Sequence, residues 1–449
     1  VNTPANKRLE AMLSGPIVAT VFKLAWPNMI MMAAQSSTGI IETWFLSRLG
    51  VGTLAGAALV LPILMLMQSM SQGAMGGGIS SAIARALGAK DQALANKLAL
   101  HAVALNAGLG VLSSLLLFIF RKPLFEFMGA QDEALEAAMS YSAVAFIAMA
   151  LMWVMNALAS AIRGSGNMLV PAAINLGGAL LLVPISPCLI FGWGPFPALG
   201  IVGAGWALVL YYSLGTMVFF WYCVSGRNLA RLELGSLQWT PMRNILMVGG
   251  VAMLNPLLTN GVIASSTALI GAFAGTAALA GYGAAARLEY MLFPIAFGIG
   301  APLVAMVASN LGAKQPARAL RIALAGGAMS FCIAEVFGLL IACWPEAWLA
   351  LFGNEPAMIE TGSSFLRIVG PFFGFFSLGF SLYFAAQGAR RLAWPLAAGI
   401  LRLAIVMLGG WLVLNQTGSI QWFFAVCAFA MFCYGSIIFF TTARSAWAN

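Results

Sequence analysis

Apolar residues in this chain come in long, nearly unbroken runs. They do not show the alternation of a half-buried strand. The runs fall at roughly 20–46, 53–80, 95–119, 137–162, 169–192, 199–224, 245–273, 278–308, 318–342, 360–386, 394–414 and 420–442, with short polar punctuation between them. About 20 apolar residues are what an α-helix needs to cross the hydrocarbon core of a bilayer. Lipid cannot satisfy backbone N–H and C=O groups, so a spanning segment must be a helix or a strand of a closed barrel. These runs are too long for barrel strands and lack the inside–outside alternation of one. The pattern predicts an all-α integral membrane protein with twelve transmembrane helices.

Composition agrees. Of the 449 residues, 61% are hydrophobic and 8% charged, against about 25% charged in soluble domains. Charge between the runs sets an orientation. With both termini inside, the cytoplasmic segments hold Lys7, Arg8, Arg85, Lys90, Lys97, Arg163, Arg227, Arg231, Arg243, Lys314, Arg318, Arg321, Arg390, Arg391 and Arg444, and the outer ones hold Arg48, Arg121 and Lys122. The positive-inside rule therefore predicts a multi-pass protein of the cell membrane with cytoplasmic termini. The net charge of +9 follows from these loops and implies no nucleic-acid partner. Residues 1–14 are polar and the apolar run after them is too long for a signal h-region, so no cleavable signal is predicted. The six cysteines lie in apolar runs without paired spacing and read as free thiols. A single histidine excludes a His-rich metal site, and no metal centre is expected.

The two halves repeat. Leu87-Gly88-Ala89-Lys90 recurs as Leu311-Gly312-Ala313-Lys314, Gly129 as Gly353, and Gly164, seven residues before Pro171, as Gly388, seven before Pro395. Each pair is 224 residues apart. Six spans per repeat put both repeats in the same orientation. The expected architecture is two six-helix bundles, 1–224 and 245–449, related by a pseudo-twofold axis along the membrane normal and joined by a cytoplasmic linker, 225–244.

These motifs resemble the multidrug and toxic compound extrusion (MATE) family, part of a wider superfamily of drug, oligosaccharidyl-lipid and polysaccharide exporters. Leu24-Ala25-Trp26-Pro27 looks like the family's opening of helix 1, and Glu42 through Arg48-Leu49-Gly50 like its close. The turns 86–90 and 310–314 look like those after helices 2 and 8, and Arg163-Gly164-Ser165-Gly166-Asn167 like the helix 4–5 turn. The resemblance implies a monomeric exporter of small organic compounds, cationic or aromatic, in a bacterial inner membrane among lipids. It implies a proton or sodium ion as driving ion, no other cofactor and no enzymatic activity. No Gly-rich phosphate loop ending in Lys-Ser/Thr is present. The chain departs from the family pattern in three ways. Glu42 replaces a common Asp, Ser186 and Leu182 stand where helix 5 often carries Asp and Asn, and the carboxylates some members carry in helices 7 and 10 are missing. Two other readings stay open: a flippase for a lipid-linked or polysaccharide precursor, and a membrane-embedded enzyme, although no catalytic constellation is visible.

A charge at the bilayer centre is costly, so embedded ionisable groups are the functional candidates. The carboxylates within spans are Glu42, Glu289 and Glu335, the cation-coupling candidates. Glu42, near the outer end of helix 1, could pair with Arg48. Glu289 cannot face Arg287 two residues away, so each should find its partner on another helix. Arg367 and Arg402 are the expected counter-charges, and His101 reads as a satisfied helix-end residue. Gln35, Gln68, Gln72, Asn156, Asn175, Asn255, Asn260 and Arg287 are polar groups that could line a substrate cavity. A Gly cluster at 73–78 suggests either close helix packing or a bend.

Overall fold

The computed structural model describes residues 4–233, 235–353 and 355–444. The chain ends, which the charge pattern places in the cytoplasm, lie outside the described residues. In the first half, α1 (Pro4–Ser14) and α2 (Ile17–Ser47) are followed by α3 (Val51–Gln68). A π-helical turn, Ser69–Met75, joins α3 to α4 (Gly76–Gly88). Then come α5 (Gln92–Phe127), α6 (Asp132–Gly164), α7 (Leu169–Phe191) and α8 (Ile201–Val224). The second half holds α9 (Trp239–Ala252), α10 (Leu254–Tyr290), α11 (Leu292–Gly312), α12 (Pro316–Cys343) and the short α13 (Pro345–Leu349). After these, α14 (Pro356–Val369) turns through a 3-10 segment into α15 (Phe373–Ala389). Next come α16 (Ala393–Ala404), a second π turn at Ile405–Gly409, α17 (Gly410–Thr417) and α18 (Ile420–Ala443).

Among the described residues, eleven helical stretches are long and apolar enough to span a membrane. One of them, Trp239–Gly312, has 74 residues. At 1.5 Å per residue that is about 110 Å, far beyond one crossing. It breaks at Gly275, whose φ of 79° is left-handed, so it holds two crossings and the total is twelve. The sequence pattern started the seventh span at 245; the helix begins earlier, at Trp239.

The repeat is visible in the backbone. Lys90 (φ 61°) and Lys314 (φ 58°) take the left-handed conformation at matching turns, as do Gly166 (φ 78°) and Arg390 (φ 57°). Asp91 N–H donates to the Ala86 carbonyl at 2.9 Å, and Gln315 N–H to that of Asn310 at 2.8 Å. Packing repeats too. A Cβ on Gly164 would lie 2.9 Å from the Ser80 carbonyl, and one on Gly388 would lie 2.7 Å from that of Val304. Both glycines are there because helix backbones touch.

The chain forms two compact units. Unit 1 comprises 1–11 and 30–250, and unit 2 comprises 12–29 and 251–449. The start of α2 thus belongs with the second half and most of α9 with the first. Within α2 the changeover follows Pro27, which cannot donate to the Lys23 carbonyl and so weakens the helix there. In unit 2, Asn310 Nδ2 donates to the Met12 carbonyl at 3.0 Å, tying the exchanged segment in. In unit 1 the linker between the halves is pinned to α5. Asn96 Nδ2 donates to Glu233 at 2.7 Å, and Arg231 N–H to Asn96 Oδ1 at 2.9 Å. Gln238 N–H donates to His101 Nε2 at 2.7 Å, while His101 Nδ1 lies 2.6 Å from the Lys97 carbonyl. His101 is thus buried and used on both ring nitrogens.

Candidate cation-coupling and substrate sites

Glu42 lies in unit 1, in the C-terminal half of α2 and only half buried. The Ser186 hydroxyl donates to its Oε1 at 3.4 Å. Ser186 sits in α7 between Pro184 and Pro187, where missing N–H donors loosen the helix. Tyr141, Tyr211 and Tyr212 lie near enough to the same carboxylate to feel its charge. Gln35 reaches the Tyr211 hydroxyl, which donates to Asn175 Oδ1 at 3.2 Å. The structure therefore gathers Glu42, Gln35 and Asn175 around a tyrosine pair. Ser36, Ser37, Thr38 and Thr43 do not join them. Each bonds back to a carbonyl four residues earlier in α2, at 2.9–3.0 Å. Arg48 does not pair with Glu42 either; its guanidinium lies over the Trp44 ring at 4.7 Å. Among the described residues, no basic group stands within salt-bridge distance of Glu42.

A second polar cluster in unit 1 surrounds the π turn. Gln68 Nε2 donates to Gln72 Oε1 at 2.7 Å. Asn156 Nδ2 donates to Gln68 Oε1 at 3.3 Å and to Ser71 Oγ at 3.2 Å. Three of the predicted cavity residues thus converge where the α3–α4 span widens. The π turn itself was not predicted, since it shifts backbone hydrogen bonds without altering the apolar pattern; such turns are frequent at functional sites. The neighbouring glycines pack closely. A Cβ on Gly76 would lie 2.6 Å from Ser160 Oγ, and one on Gly78 would lie 2.6 Å from Gly249 N.

Unit 2 treats its two candidate carboxylates differently. Glu289 Oε1 lies 3.2 Å from Arg402 Nη2, and the two side chains are 14% and 5% exposed. Glu335 Oε2 accepts the Gly374 N–H at 2.9 Å. That N–H is at the start of α15, just after the 3-10 turn at Gly370–Phe372, so Glu335 caps the first turn of that helix. Arg367, expected as a counter-charge within the membrane, instead pairs with the exposed Glu346 at 2.6 Å. Arg287 is exposed, 5.0 Å from the Phe352 ring centroid. Asn255 is buried in α10, and the exposed Asn260 donates to the Pro256 carbonyl of its own helix at 2.8 Å. These last three candidates belong to unit 2.

Known proteins share this architecture. The MatE family profile matches residues 27–188 and again 252–412, once per half. The chain is 27% identical over 411 residues to the FAD transporter of Shewanella oneidensis, covering 90% of this chain and 89% of that one. It is 26% identical over 392 residues to the probable multidrug resistance protein NorM of Thermotoga maritima, covering 84% and 81%. Among solved structures, a MOP superfamily transporter from Pyrococcus furiosus superposes with a TM-score of 0.88 at 22% identity, over 96% of both chains. The Vibrio cholerae MATE transporter VcmN, in its bent form, gives 0.86 at 21% over 98% of both. A double match to one family, one per repeat, accounts for the duplicated sequence and the twelve-helix fold together. This chain belongs to the MatE family and is a multi-pass membrane transporter rather than an enzyme.

Proposed function

We propose that this transporter exports organic compounds, cationic or aromatic, in exchange for an inward-moving proton or sodium ion, and that Glu42 is the group the ion occupies. One observation carries the reading. Of the three candidate carboxylates, Glu289 has an arginine and Glu335 a backbone N–H, whereas Glu42 has one neutral hydroxyl partner, Ser186, and no cation within reach among the described residues. A carboxylate with neither a resident counter-charge nor a backbone N–H to cap is the one whose charge an incoming ion can compensate. Glu42 takes its ion when the protein opens outward and gives it up when it opens inward. A tenfold difference in proton affinity between the two states needs ~1.4 kcal/mol, which a change in hydration can supply. The homologous halves, 1–224 and 245–449 joined by 225–244, alternate access. The chain works as a monomer in a bacterial inner membrane with its termini inside, in line with the basic cytoplasmic loops. The names of its relatives, one an FAD transporter and one a multidrug resistance protein, support an organic substrate.

The test is efflux of the aromatic cation rhodamine 123 from proteoliposomes under an imposed proton or sodium gradient. One gradient should accelerate dye movement against its own concentration difference. Equal rates with and without both gradients would end the coupled-export reading.

A further inference from the structure

The buried ion pair of unit 2, Arg402 with Glu289, is underused. Arg402 on α16 meets Glu289 through a single contact, Nη2 to Oε1 at 3.2 Å. Its Nε–H is buried without an acceptor. The guanidinium lies over the Phe376 ring at 4.7 Å and 5.8 Å from that of Tyr434. A guanidinium offers five donors in a fixed fork that matches the two oxygens of an acidic group. Here one donor is spent on Glu289, one is orphaned, and two aromatic rings hold the group in place. A pair serving only to join α10 to α16 would gain by closing both contacts, since an unsatisfied buried donor is unfavourable.

The surroundings favour a ring. Phe293 meets Phe376 edge-on at 5.6 Å and stacks on Tyr290 at 6.3 Å. Tyr290 is exposed, Phe293 half buried and Phe376 buried. A chain of ring contacts thus runs from the exposed Tyr290 through Phe293 to the buried Phe376, which lies against the guanidinium that Glu289 pairs with. Flat aromatic molecules gain by offset or edge contact with such rings.

We infer that Arg402 is the receptor for the acidic group of an aromatic substrate, a carboxylate, sulfonate or phosphate, and that Glu289 is the resident counter-ion this group displaces. The inference rests on the export reading, because it names one substrate class of that transporter. It makes Arg402 a specificity residue and gives the two partners of one ion pair opposite roles. Arg402 attracts the ligand, and Glu289 competes with it.

Opposite roles give an unambiguous test. Fluorescein and rhodamine 123 share a xanthene ring; the first carries a free carboxylate and the second is a cationic ester. Their binding to the purified full chain in detergent is followed by fluorescence anisotropy, without any ion gradient. Fluorescein should bind the unmodified protein, about tenfold more weakly after Arg402→Gln and about threefold more tightly after Glu289→Gln. Arg402→Lys keeps the charge but not the fork and should fall between Arg402→Gln and the unmodified protein. Rhodamine 123 should change by less than about twofold with Arg402→Gln. Thermal melting of each variant establishes that it is folded, and Arg402→Lys carries the test if Arg402→Gln is not. The inference is overturned if the unmodified protein does not bind fluorescein, if both Gln variants weaken it alike, or if Arg402→Lys binds it as the unmodified protein does. Because no gradient is present, loss of ion coupling leaves these affinities unmoved. A failed receptor and a failed coupling mechanism are therefore told apart.

Discussion

At the scale of single residues, partners decide what a carboxylate within an apolar run can do. Glu335 gives the clearest structural case. Its carboxylate satisfies the Gly374 N–H left over where α14 gives way to α15. Glu335→Ala should lower stability by about 1–3 kcal/mol, the usual cost of a buried donor left without an acceptor. Glu335→Gln, which keeps an oxygen, should cost less, and thermal unfolding in detergent reads the difference. Ser186 is predicted to act differently. Ser186→Ala removes a hydrogen bond to Glu42 but not the titrating group. It should leave melting nearly unchanged, leave rhodamine 123 binding intact and change gradient-driven flux by a few-fold at most. The candidate acids were legible in the sequence because a carboxylate stands out in an apolar run. Their partners were less so. That Glu289 needs a partner on another helix follows from helix geometry, but a hydroxyl, Arg402 and Arg367 all qualified, and only the fold pairs Arg367 with the exposed Glu346. The partner of Glu335 is a backbone group, which no side-chain pattern announces.

At the scale of elements, apolar runs and turn motifs located the spans, because a bilayer imposes a length on every helix. They did not reveal where helices change character. The π turns at Ser69–Met75 and Ile405–Gly409 and the break at Gly275 leave the hydropathy almost untouched. Nor did they reveal that α2 and α9 each belong to two units, since the exchange follows tertiary packing. The glycines at matching turns were legible as repeats, and the structure supplies their reason. Gly164 and Gly388 lie against backbone carbonyls that a methyl group would crowd to 2.9 and 2.7 Å. Gly164→Ala and Gly388→Ala should each destabilise the protein by about 1–3 kcal/mol. The two losses should be similar, because the contacts are equivalent. A melting temperature unchanged by either substitution would count against this packing.

At the scale of the whole molecule, duplication explains both the double family match and the paired left-handed turns at Lys90 and Lys314. It also fixes a topology test. On a cysteine-free background, cysteines at Lys90 and Lys314 should react with an impermeant maleimide from the cytoplasmic side only, and one at Glu355 from outside only. Labelling of all three from one side would contradict the orientation drawn from the basic loops. The central claim is that ion and substrate are coupled through Glu42, and the most direct measurement is rhodamine 123 flux in proteoliposomes for the unmodified protein, Glu42→Gln and Glu42→Asp. Glu42→Gln resembles the protonated group and cannot discharge. It should keep dye binding while losing about tenfold or more of the gradient-driven flux, and Glu42→Asp should retain part of that flux. Gradient-driven flux in Glu42→Gln equal to that of the unmodified protein would contradict the account.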